Sequence, residues 1–397
     1  MKANNNSPAI RFAGFTAPWE RRKLKDYLVR YDNLRIPVSS SKRVPGPTPY
    51  YGANGIQDYV KGYTHDGQFI LVAEDGANDL KNYPVQYVFG KVWVNNHAHV
   101  LQAIESIADN LFFKYSISQT DIEPFLVGGG RAKLNAETMM NIETSAPTKA
   151  EQVSIGLMLR RLDNLITYHQ RKYEKLANLK KAMLDKMFPK EGKLVPEVRF
   201  SGFSGNWERR KLGEVGKAYA GLTGKSKNDF GHGTGKYVTY MNVFTNPVTS
   251  NQELDSIEID GKQNEVQYGD VFFTTSSETP EEVGMASVCL SSFSNTYLNS
   301  FCFGFRLMDI EIDLKYLAYF LRSGNFRSKM IRLAQGISRY NISKSKVLEL
   351  QLLLPSLQEQ QMIGKWFAQL DNLIQLQVKK NERLSNIKSA FLEKMFV

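Results

Sequence analysis

Cysteine is nearly absent: Cys289 and Cys302 are the only two in 397 residues. That excludes a disulfide framework and a cysteine-rich zinc site, and makes the cytoplasm the default expectation. No run of 18 apolar residues occurs, so no transmembrane helix is expected. The opening Met1-Lys2-Ala3-Asn4-Asn5-Asn6 lacks the apolar stretch of a signal peptide. No two prolines are adjacent, so the Asp/Asn-Pro-Pro-aromatic stretch of an amino-methyltransferase is missing. Gly224-Lys225-Ser226 resembles the end of a phosphate loop, but Tyr219 stands where its first glycine is needed. Gly233-Thr234-Gly235-Lys236-Tyr237 has no Ser or Thr after its lysine, and Gly128-Gly129-Gly130 reads as a turn. His97 and His99 would share a strand face, but no third ligand is evident, so no metal is expected. Glu74 and Asp75 are adjacent, which on a strand sends them to opposite faces. A turn or base-contacting role suits them better than paired acid-base catalysis.

What remains is ordinary for a folded protein: 42% hydrophobic and 23% charged residues, enough chain for two or three domains. Lys plus Arg number 51 against 40 Asp plus Glu, giving +11 and a polyanionic partner as the natural expectation.

The dominant feature is an internal duplication, the signal to seek before any motif. Residues 10–24, IRFAGFTAPWERRKL, match residues 198–212, VRFSGFSGNWERRKL, at ten of fifteen positions with an offset of 188. Residues 147–188 match 355–396 at 20 of 42 positions with an offset of 208. The order is head, variable region, tail, repeated once, with the second variable region 20 residues longer. In the first tail Ile155, Leu159, Leu162, Leu165, Ile166, Tyr173, Leu176 and Leu179 recur at mostly three- and four-residue spacings. In the second, Ile363, Phe367, Leu370, Leu373, Ile374, Leu384, Ile387 and Leu392 do the same. That periodicity predicts two amphipathic helices, each roughly 55–60 Å long, whose stripes need a partner. Two similar helices flanking a globular domain suggest an antiparallel pair.

The variable regions carry short β-rich runs such as Phe69-Ile70-Leu71-Val72 and Asp270-Val271-Phe272-Phe273, each emptying into a polar loop. The fold expected is mixed α/β, with globular domains over 1–146 and 199–354, long helices over 147–188 and 355–397, and a linker over 189–198. The loops supply groups suited to base edges and phosphates. In the first domain the candidates are Tyr50, Tyr51, Asn54, Lys61, Asn78, Lys91, Asn95, Asn96, His97, Arg131 and Lys133. In the second they are Lys236, Tyr240, Asn242, Thr274, Thr275, Ser276, Ser277, Glu278, Asn299, Arg339 and Asn341.

Trp19-Glu20-Arg21-Arg22-Lys23-Leu24 and its copy at 207–212, with Leu354-Pro355-Ser356-Leu357-Gln358-Glu359-Gln360 and Leu370-Asp371-Asn372-Leu373-Ile374, carry a family resemblance. So do Tyr50-Tyr51-Gly52-Ala53-Asn54-Gly55-Ile56 and the stretch 269–279. The sequence resembles the specificity subunit of Type I restriction-modification enzymes over essentially its whole length. The first tail departs at Thr148-Lys149, where the apolar residue matching Leu357 is missing.

The resemblance implies two target-recognition domains joined by two long antiparallel helices with approximate two-fold symmetry. Each domain would read one half of a bipartite, asymmetric site on double-stranded DNA, and the helices would set the gap. The chain would be non-catalytic and without cofactor. Two methyltransferase subunits would bring S-adenosylmethionine for adenine-N6 methylation, and two motor-nuclease subunits would use ATP and Mg2+. Docking residues for the methyltransferases would be Glu151, Gln152, Leu162, Asp163, Leu165 and Ile166, then Glu359, Gln360, Leu370, Asp371, Leu373 and Ile374. Two other readings compete: a self-contained DNA-modifying enzyme, and a coiled-coil scaffold that binds protein.

Overall fold

The computed structural model describes residues 7–129, 132–259, 261–308 and 311–397. Two compact units form: one from residues 1–170 and 378–397, the other from residues 171–377. Each holds one globular domain, the start of one long helix and the end of the other. The helices run without interruption over Lys149–Lys186 and Leu357–Met395. No proline lies between Pro147 and Pro189 or after Pro355, and an internal proline would break either helix.

In the first unit the head strand Glu20–Lys23 pairs antiparallel with Glu143–Ala146. Six further strands form one sheet in the order Leu28–Arg30, Ala98–Ala103, His65–Ala73, Val85–Val94, Pro45–Gly52, Gly55–Val60. Every pairing in it is antiparallel except Tyr50 and Tyr51 against Trp93 and Val94. The helix Asn110–Gln119 buries Phe112 and Phe113 together with Trp19, Ile155, Leu159 and Met395.

In the second unit the head strand Glu208–Lys211 pairs with Gln351–Leu354 in the same register. A four-stranded sheet runs Gly216–Ala220, Cys302–Leu307, Val271–Thr274, Ala286–Val288, beside a three-stranded one of Leu254–Ile257, Phe230–Val238 and Thr296–Leu298. Trp207, Tyr316, Phe367, Met187 and Phe188 pack in its core. The last two residues of each repeated tail thus serve as core: Met187 and Phe188 against Trp207, Met395 and Phe396 against Trp19.

The duplication is preserved atom by atom where head meets tail. Arg11 donates from Nε and Nη2 to the carboxylate of Glu151 at 2.8 and 2.6 Å. Arg199 does the same to Glu359 at 2.8 and 2.7 Å. Both glutamates are buried. Gln152 accepts from the Asp109 amide at 3.0 Å and donates to the Pro147 carbonyl at 2.8 Å. Gln360 repeats this with Asp313 at 3.0 Å and Pro355 at 2.9 Å. Asp109 and Asp313 each cap a short helix by accepting from the amide three residues on, at 2.8 Å. Glycine is required behind both caps: a Cβ at Gly156 would lie 2.9 Å from Asp109 Oδ1, and one at Gly364 would lie 2.8 Å from Asp313 Oδ1.

Within each unit the long-helix segments run antiparallel. In the first, Lys388 meets Asp163 at 2.6 Å and Asn381 donates to Gln170 at 3.1 Å. In the second, Lys180 meets Asp371 at 2.5 Å. Tyr115 and Tyr319 donate to those same aspartates at 2.6 and 2.9 Å. Among the described residues no helix is long and apolar enough to cross a membrane.

Candidate nucleic-acid interface

In the first unit one polar surface is built from loops at the sheet's edge. Asn54, at the turn between the strands Pro45–Gly52 and Gly55–Val60, donates to the Gly76 carbonyl at 2.9 Å and accepts from the Asn78 amide at 3.0 Å. It therefore clasps the loop that follows Glu74 and Asp75. Asn95 is buried, accepting from the His97 amide at 2.8 Å. His97 faces Asp75 at 2.5 Å, Lys133 faces Glu74 at 2.8 Å, and Asn96 is exposed. These contacts gather Asn54, Asn78, Asn96, His97 and Lys133 around one loop group.

Beneath it lies a dense ion network. Arg35 donates to Glu74 at 2.6 Å and to the Ala98 carbonyl at 2.9 Å. His99 bonds Asp32 through Nδ1 at 2.7 Å and the Leu134 carbonyl through Nε2 at 2.9 Å. Burial works against the Asp32 charge, but His99, the Val100 amide and Arg35 together hold its carboxyl below the usual range. Glu74 is likewise desolvated, yet the hydrogen bonds from Lys133 and Arg35 pull its carboxyl down. Asp32, Glu74 and His99 place three ligand-type atoms within 4.8 Å of one another. Arg35 and Lys133 pair with Glu74, and His99 and Arg35 with Asp32, so the cluster forms an ion network that ties the loops together.

The remaining candidates here are placed by other contacts. Tyr50 is buried, its hydroxyl bonded to the Val38 backbone at 3.0 and 3.2 Å and its ring 4.1 Å from the Arg43 guanidinium. It is a fold residue rather than a reader. Tyr51 is half-buried beside Val94. Lys61 is exposed, and the Lys91 ammonium lies 4.8 Å from the Tyr63 ring. Arg131 lies outside the described residues.

In the second unit a cleft of about 570 Å³ opens between Tyr240, Phe244, Ser277, Glu282, Phe301 and Arg339. Met241 and Phe301 stand at it 55% and 52% exposed. Tyr240 stacks on Phe244 and donates to the Ser276 carbonyl at 2.7 Å. Ser277 donates to Glu282 at 3.1 Å, Arg339 donates from Nε to Ser276 Oγ at 3.0 Å, and Glu278 is exposed. Arg339 also holds its guanidinium 5.5 Å from the Phe301 ring.

Several candidates turn inward instead. Asn242 is fully buried and bonds the Ser250 and Glu253 backbone, because its amide offers both donor and acceptor to a turn. Thr274 is buried, accepting from the Met285 amide at 2.9 Å. Thr275 donates to the Phe301 carbonyl at 2.8 Å, and Asn299 accepts from the Phe301 amide at 2.8 Å. Lys236 is exposed and donates to Ser256. Asn341 is exposed, while its backbone pairs with Ser276.

Two residues that sequence reasoning missed shape this cleft. Arg322 donates to the carbonyls of Val243, Phe244, Asn246 and Ala286 at 2.7–3.1 Å. Arg327 donates to those of Glu281, Val283 and Gly284 at 2.7–2.8 Å. Both fix the segments that carry Tyr240, Met241 and Glu282. No local pattern distinguishes these arginines from surface cations, since their acceptors are carbonyls 36 to 79 residues away.

The tail residues expected to dock partners divide sharply. Glu151, Gln152, Glu359 and Gln360 are buried in the head–tail clasps, and Leu370 is buried in its own unit. These five are taken up within the chain. Asp163 and Asp371 are engaged by Lys388 and Lys180, and Leu162, Ile166 and Ile374 are half-buried. Leu165 and Leu373, equivalent by the 208-residue offset, stand 45% and 46% exposed.

Comparison with known proteins gives a consistent result. The family model for the Type I restriction modification DNA specificity domain matches residues 17–178 and again 204–386. The Type I restriction enzyme MjaVIII specificity subunit of Methanocaldococcus jannaschii is 24% identical over 415 aligned residues, covering 94% of this chain and 91% of the relative. A putative type I restriction enzyme specificity subunit of Haemophilus influenzae, S.HindORF215P, is 46% identical over 134 residues, and that match spans 34% of each chain. The crystal structure of a Type-I restriction-modification system S subunit from M. genitalium shares the fold, with a TM-score of 0.63 at 14% identity over 98% of this chain and 99% of that one.

Proposed function

Because the chain belongs to the Type I restriction-modification DNA specificity family, we propose that it is the DNA-reading subunit of such a complex and performs no catalysis itself. Each globular domain reads one half of a two-part, asymmetric site on double-stranded DNA. The long helices set the gap and dock two methyltransferase subunits, with Leu165 and Leu373 among the exposed apolar contacts. S-adenosylmethionine, ATP and Mg2+ act in those subunits and in two motor-nuclease partners.

The observation that carries this reading is the contrast between the clasps and the loops. The Arg–Glu, Gln–Asp and Tyr–Asp contacts repeat in both units with closely matching geometry. The loops do not repeat: one unit presents Asn54, Asn96, His97 and Lys133, the other Tyr240, Met241, Glu278 and Arg339. A conserved frame with divergent polar tips is what two different half-sites require. The net charge of +11 matches a phosphate backbone.

The test is to map N6-methyladenine across the genome with and without this chain, keeping its partner subunits. Deletion should erase methylation at one asymmetric two-part motif. An unchanged map in cells where the partners are active would refute the reading.

A further inference from the structure

Ile337 is 96% exposed, the most exposed large apolar side chain among the described residues. It does not sit on a floppy tail. Gln335 and Asn341 exchange both backbone hydrogen bonds, at 2.9 and 2.8 Å, and close a short hairpin over residues 336–340. Gly336 makes the turn possible: its φ is +140°, and a Cβ there would collide with the Arg339 carbonyl at 2.0 Å. The base is tied down further. Tyr340 and Asn341 pair with Ser277 and Ser276, and the Ile342 amide bonds the Thr275 carbonyl at 3.0 Å. The hairpin thus holds a bare aliphatic side chain in water at a cost, on a rigid support.

Its surroundings say what would cover it. Ser338 and Arg339 line the cleft, and Met241 and Phe301 add exposed apolar surface there. Arg339 is exposed, as are Lys344 and Lys346 just beyond the hairpin. An aliphatic tip flanked by cations suits a stack of apolar base faces bounded by phosphates.

We infer that Ile337 is a wedge that enters the base stack of the half-site read by the second domain. An aliphatic side chain inserted between base pairs unstacks them and kinks the duplex. That lowers the further cost of extruding a base for chemistry by a partner subunit. The inference rests on the DNA-reading function proposed above. It is also asymmetric. By the 208-residue offset Ile337 corresponds to Gly129, which carries no side chain and has open space where a Cβ would lie. The first domain therefore has no counterpart of this wedge.

The test uses the full chain assembled with its methyltransferase partner on a duplex carrying the mapped two-part motif. 2-Aminopurine is placed at non-target positions in each half in turn. Binding should brighten probes in one half through Ile337. Ile337→Ala should abolish that brightening, leave the other half unaffected, and weaken binding about tenfold, the order expected for losing a buried aliphatic side chain. Ile337→Leu should restore both. Because the side chain makes no buried contact, the melting temperature of Ile337→Ala should equal the parent's. Equal brightening by parent and Ile337→Ala would overturn the wedge while leaving DNA reading intact. Failure of the parent complex to bind the duplex would overturn DNA reading, and the wedge with it.

Discussion

Adding four residues after Tyr168 and four after Glu382 should abolish methylation at the parent motif and move it to one with a longer gap. The two insertions lie at the same level of the antiparallel pair. Asp163 faces Lys388 and Gln170 faces Asn381, and in both pairs the residue numbers sum to 551. Tyr168 with residue 383 keeps that sum, so the junctions match and side-chain pairing on both sides survives. Four residues lengthen each helix by about 6 Å and turn it about 40° beyond one full turn. At about 3.4 Å per base pair that is a gap one or two pairs longer. Both half-sites should read unchanged, because no loop is touched. Methylation sequencing of cells carrying the double insertion reads the outcome directly. An altered half-site, or the old gap retained, would show that helix length does not set the spacing.

Replacing Arg11 or Arg199 by alanine should cost about 3–5 kcal/mol, the range found when one partner of a buried ion pair is removed. The reason is the stranded glutamate. Glu151 and Glu359 are fully buried, and each takes two hydrogen bonds from its arginine. Lysine at either position should rescue poorly, because one ammonium cannot reproduce the paired guanidinium geometry. The double change Arg199→Met with Glu359→Leu should recover most of the loss, since it removes both charges together. Urea denaturation compares the variants. A single alanine variant within 1 kcal/mol of the parent would mean the clasp is ornamental, and the repeated heads would then need another explanation.

The frame was legible because it is duplicated. The offsets of 188 and 208 marked the heads and tails, and the structure shows heads and tails meeting through Arg11, Arg199, Glu151 and Glu359. The tails' three- and four-residue spacing predicted helices over 147–188 and 355–397, and these run from Lys149 to Lys186 and from Leu357 to Met395. Periodicity could not say which polar tail residues face a partner. Glu151 and Gln152 look like surface helix residues, yet both are buried and bonded to a partner more than 40 residues away. The loops were less legible still. Asn96 and Asn242 are equal candidates for base contact by sequence, but one is exposed and the other satisfies a turn. The difference lies in whether a distant backbone presents free carbonyls, which no local spacing encodes. Ile337 was missed for the opposite reason: an isoleucine near a strand is read as core, and only its place at a hairpin tip exposes it.

The central claim, one domain per half-site, is tested most directly by exchanging residues 25–146 for those of another family member and remapping adenine methylation. One half of the motif should change to the donor's, while the other half and the gap stay as they were. A map in which both halves change together would contradict the account.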